Sequence, residues 1–236
     1  MKDDEQLEND YFRLRKVISS DYDGFLLPAW LKKELNDKCA SILDFGCGYG
    51  QVLRALHEEG YGNVYGADIE PNAIAFCKEN NLKVKTLDVK STKNPFEDKF
   101  DVIILSHIIE HVEKSSIIGV LNKIKHNFLK KGGKLLISVP NAQSNTGCYW
   151  AYEDWTHTTL FTSGSIYYVL KSAGFEEVEF LDIDCMAGQN CILRGIRRFF
   201  LFFFKLRNSF WNKVTKSSFH KPSPIIYSYE IKVKAY

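Results

Sequence analysis

The chain has 236 residues, 45% of them hydrophobic, enough to bury a full core and most simply read as one domain. Its formal net charge of +2 selects no class of partner. The opening MKDDEQLEND is acidic and polar, so no secretory signal is expected, and no apolar run reaches the roughly 18 residues that span a bilayer. Cys39, Cys47, Cys77, Cys148, Cys185 and Cys191 show no C-x-x-C spacing. Reduced thiols in a cytoplasmic protein are therefore expected, with neither a zinc site nor a redox motif.

Ser41–Phe45 reads as a strand that turns through Gly46, Gly48 and Gly50 into a helix over Gln51–Glu59, where Val52, Leu53 and Leu56 keep helical spacing. This turn, in ILDFGCGYGQ, is not a dinucleotide fingerprint, because Gln51 stands where G-x-G-x-x-G needs its third glycine. Nor is it a phosphate loop, since no lysine follows. Its glycines let a ligand approach the backbone. Asn63–Asp68 is a second strand ending in an acid, Ala73–Asn80 a helix entered behind Pro71, and Lys83–Val89 an alternating strand. Phe100–Ser106 is a continuous apolar run, as in a parallel strand buried on both faces. Ser116–Leu129 carries a helical stripe (Ile117, Val120, Leu121, Ile124, Phe128) that Gly132–Gly133 should stop. Lys134–Pro140 is a strand, Ser165–Ala173 a helix closed by Gly174, and Val178–Ile183 a strand. The β-α alternation predicts an α/β fold with a mostly parallel sheet, helices on both faces and ligands at the carboxyl ends of the strands.

The ordered set ILDFGCGYGQ, YGADI, LDV, FDVIILSHIIEHV, LKKGGKLLISVPN and LKSAGFEEVEF resembles the class I S-adenosylmethionine (SAM)-dependent methyltransferases, over roughly Cys39 to Ile183. The resemblance implies a Rossmann-like seven-stranded sheet whose last strand is antiparallel, with Ile225–Tyr236 alternating well enough to be that strand. The chain would then comprise an N-terminal helical segment (1–38), a SAM-binding core (39–183), a basic aromatic insertion or lid (185–223) and the last strand (225–236). It further implies that Asp44, Phe45, Gly46, Cys47, Gly48 and Gly50 approach the methionine part of SAM. Asp68, with Ile69, would meet the ribose hydroxyls, and Asp88, with Val89, the adenine. A carboxylate suits a diol because each of its oxygens can accept a hydrogen bond. Ser106 would end its strand near the transferable methyl, and the product would be S-adenosylhomocysteine.

Methyl transfer to a hydroxyl needs alignment and a base, and a positioned base contributes typically 10²–10⁴-fold. Histidine suits that task at neutral pH. His157, in the aromatic loop YEDWTHTTLF with Asp154 three residues before it, is the first candidate, and His107, just after Ser106, is the second. His111 reads better as a packing residue, and no metal is expected. The chain lacks [DNS]-P-P-[YFW] or Pro-Cys after the fourth strand, and Asn94–Pro95–Phe96 reads as a turn before it, so DNA is not the expected acceptor.

Between Asp184 and Glu230 no acid occurs, whereas Arg194, Arg197, Arg198, Lys205, Arg207, Lys213, Lys216 and Lys221 do, around RRFFLFFFKLRNSFW. That segment could be a core helix, a lid over an anionic substrate, or an interfacial helix on anionic lipid, through about 196–211, at the inner face of the membrane. RNA binding by stacking ranks lower. The layout resembles bacterial enzymes of surface-polysaccharide biosynthesis, implying a small anionic or nucleotide-activated sugar as acceptor. A quinone or lipid O-methyltransferase and a non-catalytic SAM-binding scaffold are the alternatives.

Overall fold

The computed structural model describes residues 14–91, 93–218 and 223–236. The first 13 residues of the expected N-terminal segment, and residues 219–222 of the basic insertion with Lys221 among them, lie outside the described residues. What is described of the N-terminal segment holds one 3-10 turn, Ser19–Tyr22, and the short helix α1 (Ala29–Glu34).

The core is laid down by β-α repeats. β1 (Ile42–Phe45) is buried at every position, and Gly50, at φ 75°, leads it into α2 (Gln51–Glu58). β2 (Val64–Asp68) and α3 (Pro71–Glu79) follow, then β3 (Val84–Thr86) and β4 (Phe100–Ser106). The strand expected over 83–89 is thus only three residues long, and Asp88 and Val89 lie in the turn beyond it. After a 3-10 turn at Ile109–His111 come α4 (Ile117–Lys123), a π-helical turn at Ile124–Phe128 and β5 (Leu129–Pro140).

Gly132 and Gly133 therefore do not stop a helix. They lie inside β5, where the pairing with β4 jumps from Phe100↔Leu129 to Val102↔Lys134 and the intervening residues loop out. The rest of the fold is α5 (Gly147–Glu153), α6 (Ser163–Ser172), β6 (Val178–Leu181), α7 (Cys191–Val214) and β7 (Glu230–Ala235).

The sheet has seven strands in the order β3-β2-β1-β4-β5-β7-β6, and only β7 runs antiparallel to its neighbours. Its centre carries Leu43, Phe45, Ile103, Leu105 and Ile137 on one face and Ile42, Ile104 and Leu136 on the other, all at most 1% exposed. The strand order reverses between β1 and β4, which places the ligand crevice at their carboxyl ends.

α7 is built the opposite way round from a core helix. Its 24 residues include none that is buried. Arg194, Leu201, Phe204, Lys205, Asn208 and Asn212 are the half-buried side toward the body, held by Lys205 to Asp184 at 2.9 Å and by Phe204 against Tyr227. Ile192, Ile196, Phe199, Phe203, Leu206 and Phe210, spaced three and four apart, are 50–71% exposed. The core-helix alternative does not describe this segment.

Candidate active site

A cleft of about 1110 Å3 opens at the carboxyl ends of β1, β2 and β4. Phe45, Gly46, Gly48, Asp68, Ile69, Asp88, Val89, Ser106 and His107 all line it, so the structure brings together nine of the residues singled out in the sequence. No residue of α7 lines it, whereas Cys185 and Ala187, at the start of the segment expected as an insertion or lid, do.

The glycine turn is fastened to the end of β2. The amides of Gly46 and Cys47 donate to the Ala67 carbonyl, at 2.7 and 3.0 Å, and Gly48 N–H donates to Asp68 Oδ2 at 2.7 Å. Asp68 Oδ1 accepts from Glu70 N–H at 2.9 Å. Asp68 therefore also shapes the turn, and burial raises its pKa despite these donors. Gly46 has φ +83°, and a Cβ there would lie 1.9 Å from Ile108 Cδ1, so only glycine fits.

The Cys47 side chain turns away from the cleft into the core, 1% exposed, where neighbouring Cys77 and burial raise its pKa. Cys47 thus offers its backbone alone. Asp88 is exposed, and its Oδ1 accepts Lys90 N–H at 2.7 Å. Asp44 is 2% exposed and no donor among the described residues reaches its carboxylate. Burial, followed by the charge of Asp68, pushes its pKa up to about 7.

The three histidines at the acceptor end differ sharply. His107 sits at φ 55°, a left-handed conformation unusual outside glycine, pinned by its N–H to the Ser138 carbonyl. Its Nε2 lies 2.7 Å from Glu230 Oε1 and its Nδ1 3.2 Å from Glu110 Oε1. Burial alone would lower its pKa, but the two carboxylates outweigh it and raise it to about 10. At neutral pH His107 already holds a proton, which removes it as the general base.

His111 lines the cleft, and burial lowers its pKa. His157 packs against it, ring centroids 4.8 Å apart, with its side chain 6% exposed. Asp154 Oδ2 lies 3.9 Å from His157 Nε2, and His157 Nδ1–H donates to the Trp150 carbonyl at 2.7 Å. Asp154 also accepts a hydrogen bond from the Thr156 hydroxyl at 2.6 Å and pairs with Arg15 at 3.0 Å. That hydroxyl in turn lies 2.8 Å from His111 Nδ1. The loop is tied down because Thr158 and Thr159 N–H both donate to the Glu110 carbonyl, at 2.8 and 3.1 Å.

Sequence reasoning missed Glu230 and demoted His111. Only the antiparallel return of β7 beside β5 brings Glu230 within reach of His107, 123 positions away.

A family model described as "Methyltransferase domain" matches residues 14–179. A "Ubiquinone biosynthesis O-methyltransferase" of Rickettsia conorii is 35% identical over 120 residues, 49% of this chain and 40% of that protein. The corresponding protein of Rickettsia bellii is 37% identical over 47% of each chain. This chain therefore spans less than half the length of these curated relatives. Among solved structures, a SAM-dependent methyltransferase from Archaeoglobus fulgidus superposes with a TM-score of 0.59 at 20% identity, over 98% of this chain and 93% of that one. Another, from Mesorhizobium loti, gives 0.57 at 18% identity, over 91% and 99%.

Proposed function

Because the chain belongs to the methyltransferase-domain family and takes S-adenosylmethionine as its cofactor, we propose that it methylates a neutral hydroxyl on a ring-bearing acceptor held at a membrane. A quinol head group is the acceptor class that the relatives' printed names suggest. The observation that carries this reading is the wall of the cleft. Tyr22, Phe25, Trp30, Phe45, Trp155 and Tyr229 line it, together with the carboxylates Asp68, Glu70, Asp88, Glu113, Asp182 and Glu230. Its cations are Arg15, Lys90, Lys232 and protonated His107. Arg15 is paired to Asp154 at 3.0 Å, Lys232 to Asp182 at 3.1 Å and His107 to Glu230 at 2.7 Å. Such a wall favours an aromatic acceptor and a cationic donor over the anionic or nucleotide-activated sugar expected from the sequence, to which it lends no support.

The residues present fit the cofactor. Gly46 and Gly48 put bare backbone against the cleft, and the buried carboxylate of Asp44 stands just before them in the chain without itself lining the cleft. Asp68 keeps spare lone pairs for the ribose diol after accepting two backbone N–H groups. When bound, SAM would supply an electrophilic methyl for the acceptor oxygen, with the sulfur as leaving group and S-adenosylhomocysteine as the product. The acceptor hydroxyl also loses a proton, which goes to the His111–His157 pair or to water, because His107 has no lone pair to offer at neutral pH.

α7 supports the membrane part of the reading. The helix shows its apolar face to solvent and carries Arg194, Arg197, Arg198, Lys205, Arg207 and Lys213 with no acid. Two such basic helices repel each other, whereas an anionic lipid surface covers the apolar face and neutralises the charge. Among the described residues no helix is long and apolar enough to cross a membrane, so the contact is peripheral.

The test is transfer from methyl-labelled SAM to a catechol or quinol acceptor and to nucleotide-sugars, with and without phosphatidylglycerol vesicles. Transfer to the phenolic acceptor, raised by vesicles, supports the reading. Transfer to the nucleotide-sugar alone overturns it, and S-adenosylhomocysteine binding without transfer to either would return the non-catalytic scaffold.

A further inference from the structure

A second cavity, of about 370 Å3, opens between the C-terminal half of α7 and the segment that leads into β7. Lys205, Ser209, Asn212, Lys213 and Lys216 line it, together with Tyr227 of that segment, and it shares no residue with the cleft. No carboxylate lines it. Lys205 is paired with Asp184 at 2.9 Å, whereas the ammonium groups of Lys213 and Lys216 meet no acid, carbonyl or ring among the described residues. Lys216 owes its place to the way the helix ends. It holds φ 54°, and Ser217 N–H reaches back to the Asn212 carbonyl at 2.9 Å, a closure that glycine usually provides. The chain thus carries a cationic side chain at a position where glycine is easier.

We propose that this cavity binds a phosphate group, supplied by the headgroup of an anionic phospholipid. Three ammonium groups, a hydroxyl and an amide offer charged and neutral donors to several oxygens at once, as a phosphate requires. The cavity is larger than a bare phosphate ion and leaves room for the group esterified to it. Its place on α7 points to the source. Lys205, Ser209, Asn212 and Lys213 share one stripe of the helix, and the exposed apolar stripe from Ile192 to Phe210 runs roughly a third of a turn away, at 3.6 residues per turn. With the apolar stripe resting on lipid, the cavity opens at the level of the headgroups. That a lipid brings the phosphate rests on the membrane contact proposed for α7, whereas the phosphate site itself does not.

The experiment titrates the full chain, followed by NMR of the Tyr227 ring, with dihexanoyl-phosphatidylglycerol below its micellar concentration and with glycerol 3-phosphate. Saturable binding of one short-chain lipid per chain is expected, displaced by inorganic phosphate and not by acetate. It should weaken about tenfold or more in Lys213→Gln with Lys216→Gln. Arg198→Gln with Arg207→Gln removes the same charge from outside the cavity and should leave it intact. No saturable binding of either probe, equal loss in the two double variants, or displacement by acetate as readily as by phosphate overturns the site. Glycerol 3-phosphate bound as tightly as the lipid would overturn the headgroup as the source of the phosphate. Because both probes are monomeric, the site is read without a membrane, and calorimetry with S-adenosylhomocysteine on the same variants reports separately on the cleft, so the readings can fail independently.

Discussion

Asp44→Asn separates what stabilises the fold from what holds the cofactor. The wild-type carboxyl is buried and its pKa rises from 3.8 to about 7, first through burial and then through the charge of Asp68. At about 1.4 kcal/mol per pH unit, that gap makes the ionised form cost about 4 kcal/mol in the folded protein above pH 7. The sign follows from the proton count. A carboxyl with a raised folded pKa contributes its stability below about pH 4 and loses it as pH climbs through about 7.

Asparagine never ionises, but its amide still needs partners, so the expected net gain at pH 8 is about 1–3 kcal/mol, shrinking to nothing by pH 4. SAM affinity should move the other way. With the carboxylate in its proposed role toward the ammonium, its loss would cost about 1.5–3 kcal/mol, and wild-type affinity should rise with pH up to about 7 and then level. Urea unfolding at pH 4, 6 and 8, paired with calorimetric titration, reads both effects. An Asp44→Asn protein no more stable than wild type at pH 8, with unchanged SAM affinity, would refute the assignment of this carboxylate.

Asp68→Ala strands the Gly48 amide and removes the proposed ribose acceptor, so SAM binding should weaken by ~1–3 kcal/mol, and unchanged calorimetric affinity would count against the ribose role. Gly46→Ala should destabilise by ~1–3 kcal/mol in denaturant titrations, because φ +83° and the Ile108 side chain both oppose a Cβ. Adding Ile108→Ala should relieve only the second term. Glu230→Gln should lower the His107 pKa from about 10 as followed by proton NMR. Its stability contribution is present below about 6.5 and lost as pH rises through the folded value, so that loss should shift to lower pH in the variant. Phe199→Glu with Phe203→Glu should abolish co-sedimentation with phosphatidylglycerol vesicles and leave S-adenosylhomocysteine affinity unchanged.

The strand-end residues that line the cleft were legible in the sequence because they stand in consecutive stretches at strand ends. The Gly46–Gly50 turn, Asp68 and Ser106 each follow an apolar run that fixes where the strand stops. Gly132 and Gly133 misled, because two glycines read equally well as a helix stop and as a loop-out within a strand. The orientation of α7 was not legible either. Its apolar stripe is plain in the sequence, but whether that stripe meets the core depends on Lys205 reaching Asp184 and Phe204 reaching Tyr227, which the helix's own periodicity does not determine.

The histidines show most clearly why the acceptor half stayed hidden. All three start from the same free imidazole, and proximity to the fourth strand or to an acid in the sequence favoured His107 and the Asp154–His157 pair. The fold reassigns them through partners distant in the chain. Glu230, on an antiparallel strand, converts His107 into an imidazolium. Thr156, 45 positions from His111, fixes the tautomer of that ring, and the Trp150 carbonyl fixes that of His157. Asp154, within 3.9 Å of His157, also reaches His111 through one hydroxyl. A carboxylate's position along the chain says which imidazoles it could meet, and only the packing of β7 and of the 154–159 loop decides which proton it holds in place.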